Sequence, residues 1–150
     1  MVTDRSPPDR VGSSFPDATN RELYRVRASW LTDLFPDELV IQEKAVSVVH
    51  KGFLVSQIET FPVRDIGRVV YVDAPFFAGI QILGKNVAHE LSIHGLPKEK
   101  AQRARHMIEG LLLEQVGDIS IPQWLEVGER GNQLVREGGA RQAREDTNSY

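Results

Sequence analysis

Four histidines, His50, His89, His94 and His106, are the chain's whole supply of imidazole. Metal ligation or general-base chemistry would have to start from them. A metal site needs three or four converging ligands with supporting partners behind them. His89, Glu90 and His94 lie on one strand-like run, where alternation puts His89 on the opposite face from Glu90 and His94. Ser47, Ser56 and Ser92 sit in the middle of strand-like runs, without the sharp turn that presents a nucleophile beside an oxyanion hole. Glu43, Glu59 and Asp73 are carboxylates with nothing in their spacing to bring them together. Gly79-x-x-x-x-Gly84-Lys85 copies the opening of a phosphate loop, but Asn86 stands where Ser or Thr is needed and a strand pattern follows where a helix is required. With no cysteine in the chain, thiolate chemistry and disulfides are excluded. These residues assign no catalytic, cofactor-binding or metal-ligating role, and the chain reads as a non-enzyme.

Charge narrows the partners. The net charge is −3, and residues 1–35 carry five basic and five acidic side chains, residues 36–116 nine and ten, and residues 117–150 four and six. A nucleic-acid binder gathers Lys and Arg on one face to displace counterions; this even spread argues against that class. Residues 1–10 lack the apolar core of a signal peptide. The longest apolar run, residues 76–83, falls far short of the ~20 residues that cross a bilayer. The expected location is the cytoplasm, with peripheral membrane attachment as the alternative.

The elements that would position any site follow from the hydrophobic period. Residues 1–18 are rich in Pro, Ser, Asp and Gly and read as a disordered arm. Thr19-Asn20-Arg21-Glu22 has the form of a capping box. It predicts a helix over residues 19–36, ended by Pro36, with Leu23, Val26, Trp30 and Leu34 on one stripe and Tyr24, Ala28, Leu31 and Phe35 on the next. From Leu39 the period becomes that of a strand. Lys51-Gly52 suggests a tight hairpin turn leading into a strand over residues 53–61. Residues 63–66 read as a bend or edge piece, and residues 67–72 as a strand. Residues 76–83 read as a strand with Phe76, Ala78, Ile80 and Ile82 on one face, so that the outward ring, Phe77, would be covered by the first helix or by Trp124. Residues 87–93 form the last strand, with Val87, His89, Leu91 and Ile93 inward. Pro97 then opens a helix whose apolar positions run from Ala101 to Leu112 and which Gly117 ends. After Gly117 four glycines weaken any helix; residues 118–150 read as a weakly structured polar tail.

The segment from Leu34-Phe-Pro-Asp-Glu-Leu-Val-Ile through Phe61-Pro-Val-Arg-Asp-Ile-Gly-Arg-Val to Leu91-Ser-Ile-His-Gly-Leu, which passes straight into the helix, resembles bacterial pleckstrin-homology-like domains. The resemblance covers roughly residues 34–116. It implies two nearly orthogonal antiparallel sheets with a C-terminal helix over one open end, and a binding or assembly module without catalytic residues. Eukaryotic members of this fold use basic residues around the first hairpin for phosphoinositides. Here Lys44, His50 and Lys51 are in that region, with Arg64 and Arg68 further along, so Lys44, Lys51, Arg64 and Arg68 are the candidate anion or lipid contacts, although Gly52-Phe53-Leu54-Val55 follows Lys51 where further cations would be expected.

The expected fold is therefore an antiparallel β-sandwich or barrel over residues 37–117 with a C-terminal capping helix and an extra N-terminal helix. The expected function is protein–protein interaction or self-association. Trp30, Leu31 and Phe35 are the anchors, with Phe77 and Trp124 as further candidates and an exposed strand edge beside them. A peripheral adaptor on anionic lipid is the alternative.

Overall fold

The computed structural model describes residues 20–31, 33–86 and 88–149. The arm and Thr19 of the capping box lie outside them. Seven strands precede two helices: β1 (Glu22–Arg27), β2 (Glu38–Gln42), β3 (Ala45–Lys51), β4 (Ser56–Pro62), β5 (Ile66–Asp73), β6 (Ala78–Gly84), β7 (Glu90–Leu96), α1 (Lys98–Gln115) and α2 (Val127–Asn148), with a 3-10 turn at Val63–Asp65 between β4 and β5. They form a four-stranded sheet in the order β1-β2-β3-β4 and a three-stranded sheet in the order β5-β6-β7. Every pairing is antiparallel. The two sheets do not close into a barrel.

Both sheets and both helices share one core. Leu39, Ile41, Val46 and Val48 face Ile80, Ile82, Leu91 and Ile93, and α1 lays Ala101, Ala104, Met107, Ile108 and Leu111 over them. The small alanines at the start of α1 let its backbone come close to the sheets. Pro97 precedes its first residue and Gly117, at φ 81°, follows its end, as the sequence predicts. Burying each large aliphatic side chain here contributes about 1.5–3 kcal/mol.

The N-terminal helix expected over residues 19–36 is instead strand β1 followed by a long loop to β2. The physical reason is a bulge. Glu22 pairs with Gln42 and Tyr24 with Ile41, so Leu23 is an extra residue on its strand. The bulge turns Leu23 and Val26, three residues apart, to the same buried side. A three-residue apolar spacing then imitates one helical turn. Glu22 is not a capping residue; it ion-pairs with Arg25 at 2.8 Å.

The second correction is α2. Three of the glycines that seem to break a helix, Gly131, Gly138 and Gly139, are where it packs against α1, whereas Gly128 meets nothing. A Cβ on Gly138 would run into the His106 carbonyl, and one on Gly110 into the Leu134 backbone. The two helices are therefore in backbone contact at small residues, with Leu134 fully buried between them. Close helix contact offsets the ~1 kcal/mol that each interior glycine costs.

Smaller departures lie at the hairpins. Residues 52–55 are loop rather than strand, closed by a 2.8 Å bond from the Gly52 N–H to the Val55 carbonyl. Phe76 belongs to the β5–β6 turn and is exposed, not inward with Ala78 and Ile80. His89 precedes β7 and is exposed, with its ring edge against Phe61; Val87 lies outside the described residues.

Gly138→Ala should lower stability by about 1–3 kcal/mol or more, read as a fall in the urea midpoint. Gly128→Ala, at a position open to solvent, should raise it by up to about 1 kcal/mol. Equal effects at the two positions would contradict the helix contact.

Candidate functional site

The strand order brings three connections to one end of the molecule. β1 ends where β2 begins, and Glu38 at the start of β2 pairs with Val49 near the end of β3. The β1–β2 loop (residues 28–37) and the β3–β4 loop (residues 52–55) are thus neighbours. Phe35 and Phe53 join them, their rings edge to face with centroids 6.0 Å apart. A bulge in β7 supplies the third part. Ala78 pairs with Leu96 and Ile80 with Ile93, leaving His94 and Gly95 opposite Gly79. Gly95 takes φ 74°, and its carbonyl accepts the Ser29 N–H at 2.7 Å. This bond fastens the three-stranded sheet to the β1–β2 loop.

The loops carry the apolar residues that did not go into the core. Trp30 is 74% exposed, Leu34 88%, Phe53 80% and Leu54 86%, with Leu31 and Val55 also in water; Ile58, on β4, is exposed as well. A large aromatic side chain has roughly 150–250 Å² of surface. Trp30 and Phe53 alone therefore approach the ~300–600 Å² of the largest apolar patch on a typical monomer. The aliphatic residues extend the patch beyond it.

Beneath the loops lies a cavity of about 370 Å³ lined by Ala28, Asp33, Asp37, His50, Ser92, Ile93, His94 and Gly95. Asp37 is its organiser. Its backbone carbonyl accepts the Ala28 N–H at 2.8 Å, and its carboxylate meets His50 Nδ1 at 2.7 Å and accepts the Lys51 N–H at 3.2 Å. Asp33 accepts the Phe35 N–H at 3.2 Å and shapes the loop. Ser92, His50 and Asp37 are the residue types of a hydrolytic triad, but the geometry differs. His50 Nε2 lies 3.9 Å from Glu59 of β4, so the nitrogen that would activate a serine is directed to the sheet edge. A triad needs that nitrogen hydrogen-bonded to the nucleophile.

The sequence-predicted residues divide between the two ends. Trp30, Leu31 and Phe35 all lie exposed on the β1–β2 loop and not on a helix. Phe77 is half-buried, and Phe76 beside it is the exposed ring, with neither a first helix nor Trp124 over it. Trp124 is exposed at the opposite end, where Arg21, just before β1, donates to the carbonyls of Gln123 and Leu125 at 2.7 and 3.1 Å. The four basic candidates do not converge. Lys44 and Arg64 line a cavity at that opposite end, together with Glu43 and Glu114. Lys51 is held by Glu38 at 2.6 Å, and Arg68 is exposed on β5. Among the described residues, no three His, Asp or Glu side chains are grouped as metal ligands would be.

Sequence reasoning missed Phe53, Leu54 and Val55, which it placed in a strand, and it missed the Asp37–His50 pair. The available signal was Gly52 followed by three large apolar residues in a row, which breaks the alternation that a half-buried strand requires.

Glu38 sits just behind the loops. Lys51, Arg27 and Arg25 bond its carboxylate and hold its pKa at about 2, well below the usual carboxylate value. Comparison of the chain with protein-family models, curated proteins and solved structures finds no match.

A carboxylate with a depressed pKa stabilises the fold above its unfolded pKa of 4.5 and loses that contribution as pH falls toward 2. The contribution is about 1–3 kcal/mol, below what the full shift implies because Arg25 and Arg27 are well exposed to water. Glu38→Gln should flatten the fall in stability between pH 5 and pH 2. An unchanged pH profile would show that Glu38 is not held in this way.

Proposed function

We propose that this chain is a non-catalytic interaction module of pleckstrin-homology-like architecture. Its working surface is the loop end, formed by residues 28–37 and 52–55, and its ligand is a protein. Within residues 34–116, three antiparallel strands of one sheet, three of a second and then a helix over the shared core agree with the two antiparallel sheets and C-terminal helix that the resemblance implies, which supports the architectural half of the reading; β1 and α2 lie outside that range. The exposed apolar patch carries the functional half. Trp, Phe and Leu anchors that bury much area for little rotamer entropy are what a protein interface needs. Two loops would not hold so many of them in water without a use.

An anionic membrane is a weaker reading of the same patch. Lipid attachment combines apolar insertion with several cations beside it. At this end Lys51, Arg27 and Arg25 are all engaged by Glu38, and Asp33 stands among the very residues that would insert. Lys44 and Arg64 face the opposite end.

Leu31→Asp and Leu54→Asp should each weaken protein association at least tenfold, whether the partner is a second copy or another chain, as read by sedimentation and by retention on the immobilised full chain. Their thermal midpoints should stay at that of the parent, because exposed side chains contribute within about ±0.5 kcal/mol. Trp124→Ala should have no effect on binding. Loss of binding by Trp124→Ala with none by the leucine variants would refute the assignment.

A further inference from the structure

The loop end is an apolar rim around a polar cavity, and the charge of that cavity says what kind of partner fits. Among the described residues, its lining includes two carboxylates, Asp33 and Asp37, and two histidines, and neither lysine nor arginine. An ionised carboxylate offers about four acceptor positions. Among the described residues, Asp33 uses one for the Phe35 N–H, and Asp37 uses two, for His50 and the Lys51 N–H. The nearest cations, Lys51, Arg27 and Arg25, are drawn away to Glu38 on the neighbouring strand. Acceptor capacity is left in a recess lined in part by the β1–β2 loop, which also carries the exposed Trp30 and, through Phe35, meets Phe53; aromatic surfaces of this kind are ones on which a guanidinium stacks favourably.

A second copy does not satisfy this site. A two-fold contact sets the same patch against itself, and the described cations nearest that patch, Lys51, Arg27 and Arg25, are already bonded to Glu38, leaving none to offer Asp33 and Asp37 of the other copy. A bilayer does not satisfy it either, since insertion would carry the Asp33 carboxylate out of water. A different protein, with one basic side chain standing among apolar residues, satisfies both the rim and the recess.

Resting on the reading of the loop end as the binding surface, we propose that the partner protein docks by inserting an arginine or lysine into the cavity beside Asp33 and Asp37. Trp30, Leu31, Phe53 and Leu54 then cover apolar residues on either side of it. The carboxylates supply selection, and the rim supplies most of the buried area. An arginine suits the recess better than a lysine, because its planar fork donates to a carboxylate in pairs while its face lies on an aromatic ring.

The test uses the full chain, labelled with ¹⁵N, and a defined probe, N-acetyl-tryptophanyl-arginine amide. Its neutral isostere, with citrulline in place of arginine, is the control. The arginine probe should shift the amides of Asp33, Asp37, His50, Ser92 and Gly95 saturably, and the citrulline probe should bind at least tenfold more weakly. Asp33→Asn, on an exposed loop where folding is not at stake, should reduce the arginine probe's affinity threefold or more; Asp37→Asn should do the same, with its amide spectrum checking the fold. Equal binding of the two probes would overturn the cation-binding pocket while leaving the apolar loop end as the docking surface. No shift at the cavity, or no effect of Asp33→Asn, would overturn it as well. Shifts of the loop amides on dilution of the chain alone would assign the surface to a second copy. Shifts with phosphatidylcholine vesicles would assign it to a membrane. Either result would overturn the proposal.

Discussion

Arg130 holds the molecule together at the end opposite the loops. It is 1% exposed, on α2. Its guanidinium meets both oxygens of Glu43, in the β2–β3 turn, at 2.8 Å, and both oxygens of Glu114, near the end of α1, at 3.1 and 2.5 Å. It also donates to the Ile121 carbonyl at 2.9 Å. Arg21 bonds the same Glu43 at 3.0 Å from the start of β1. One cation therefore ties the four-stranded sheet, both helices and the connection between them. Burial disfavours its charged form, but the two carboxylates outweigh that and raise its pKa above the usual arginine value. The arrangement is fully hydrogen-bonded, and this is the condition under which a buried ion pair can be sustained.

The cluster divides the labour between the two ends. At its own end the charged groups Arg21, Glu43, Glu114 and Arg130 are spent on one another, and the α1–α2 contact through Gly110 and Gly138 leaves no slack. At the other end the strands run out into loops that turn apolar residues outward. The Ser29–Gly95 bond fastens the three-stranded sheet to the β1–β2 loop there. Trp30, Leu31, Phe53 and Leu54 can change without disturbing the core, since their side chains are exposed.

Much of the core was legible in the sequence. Pro97 and Gly117 bracket α1 because each has a backbone preference that the helix termini demand. Ala78, Ile80 and Ile82 follow a period of two that their sheet obeys. The failures share a cause, which is long-range contact. The bulge at Leu23 is set by pairing with β2, and without that pairing its spacing is that of a helix. The glycines of α2 look like helix breakers until α1 is laid against them. Trp30, Leu31 and Phe35 were identifiable as surplus apolar residues, but their place on a loop was not. Phe53 to Val55 were hidden because three apolar residues in a row fit a buried strand as well as a loop. Arg130 and its partners, Glu43 and Glu114, are separated by 87 and 16 positions. No local pattern marks them.

The central claim is that binding belongs to the loop end and stability to the Arg130 end. A photo-crosslinking side chain placed at Leu54 in one version of the full chain, and at Trp124 in another, reads this directly in the source cells. Both positions are exposed, and they lie at opposite ends of the fold. The account predicts a discrete protein adduct from position 54 and none from position 124. An adduct from position 124 alone would contradict it.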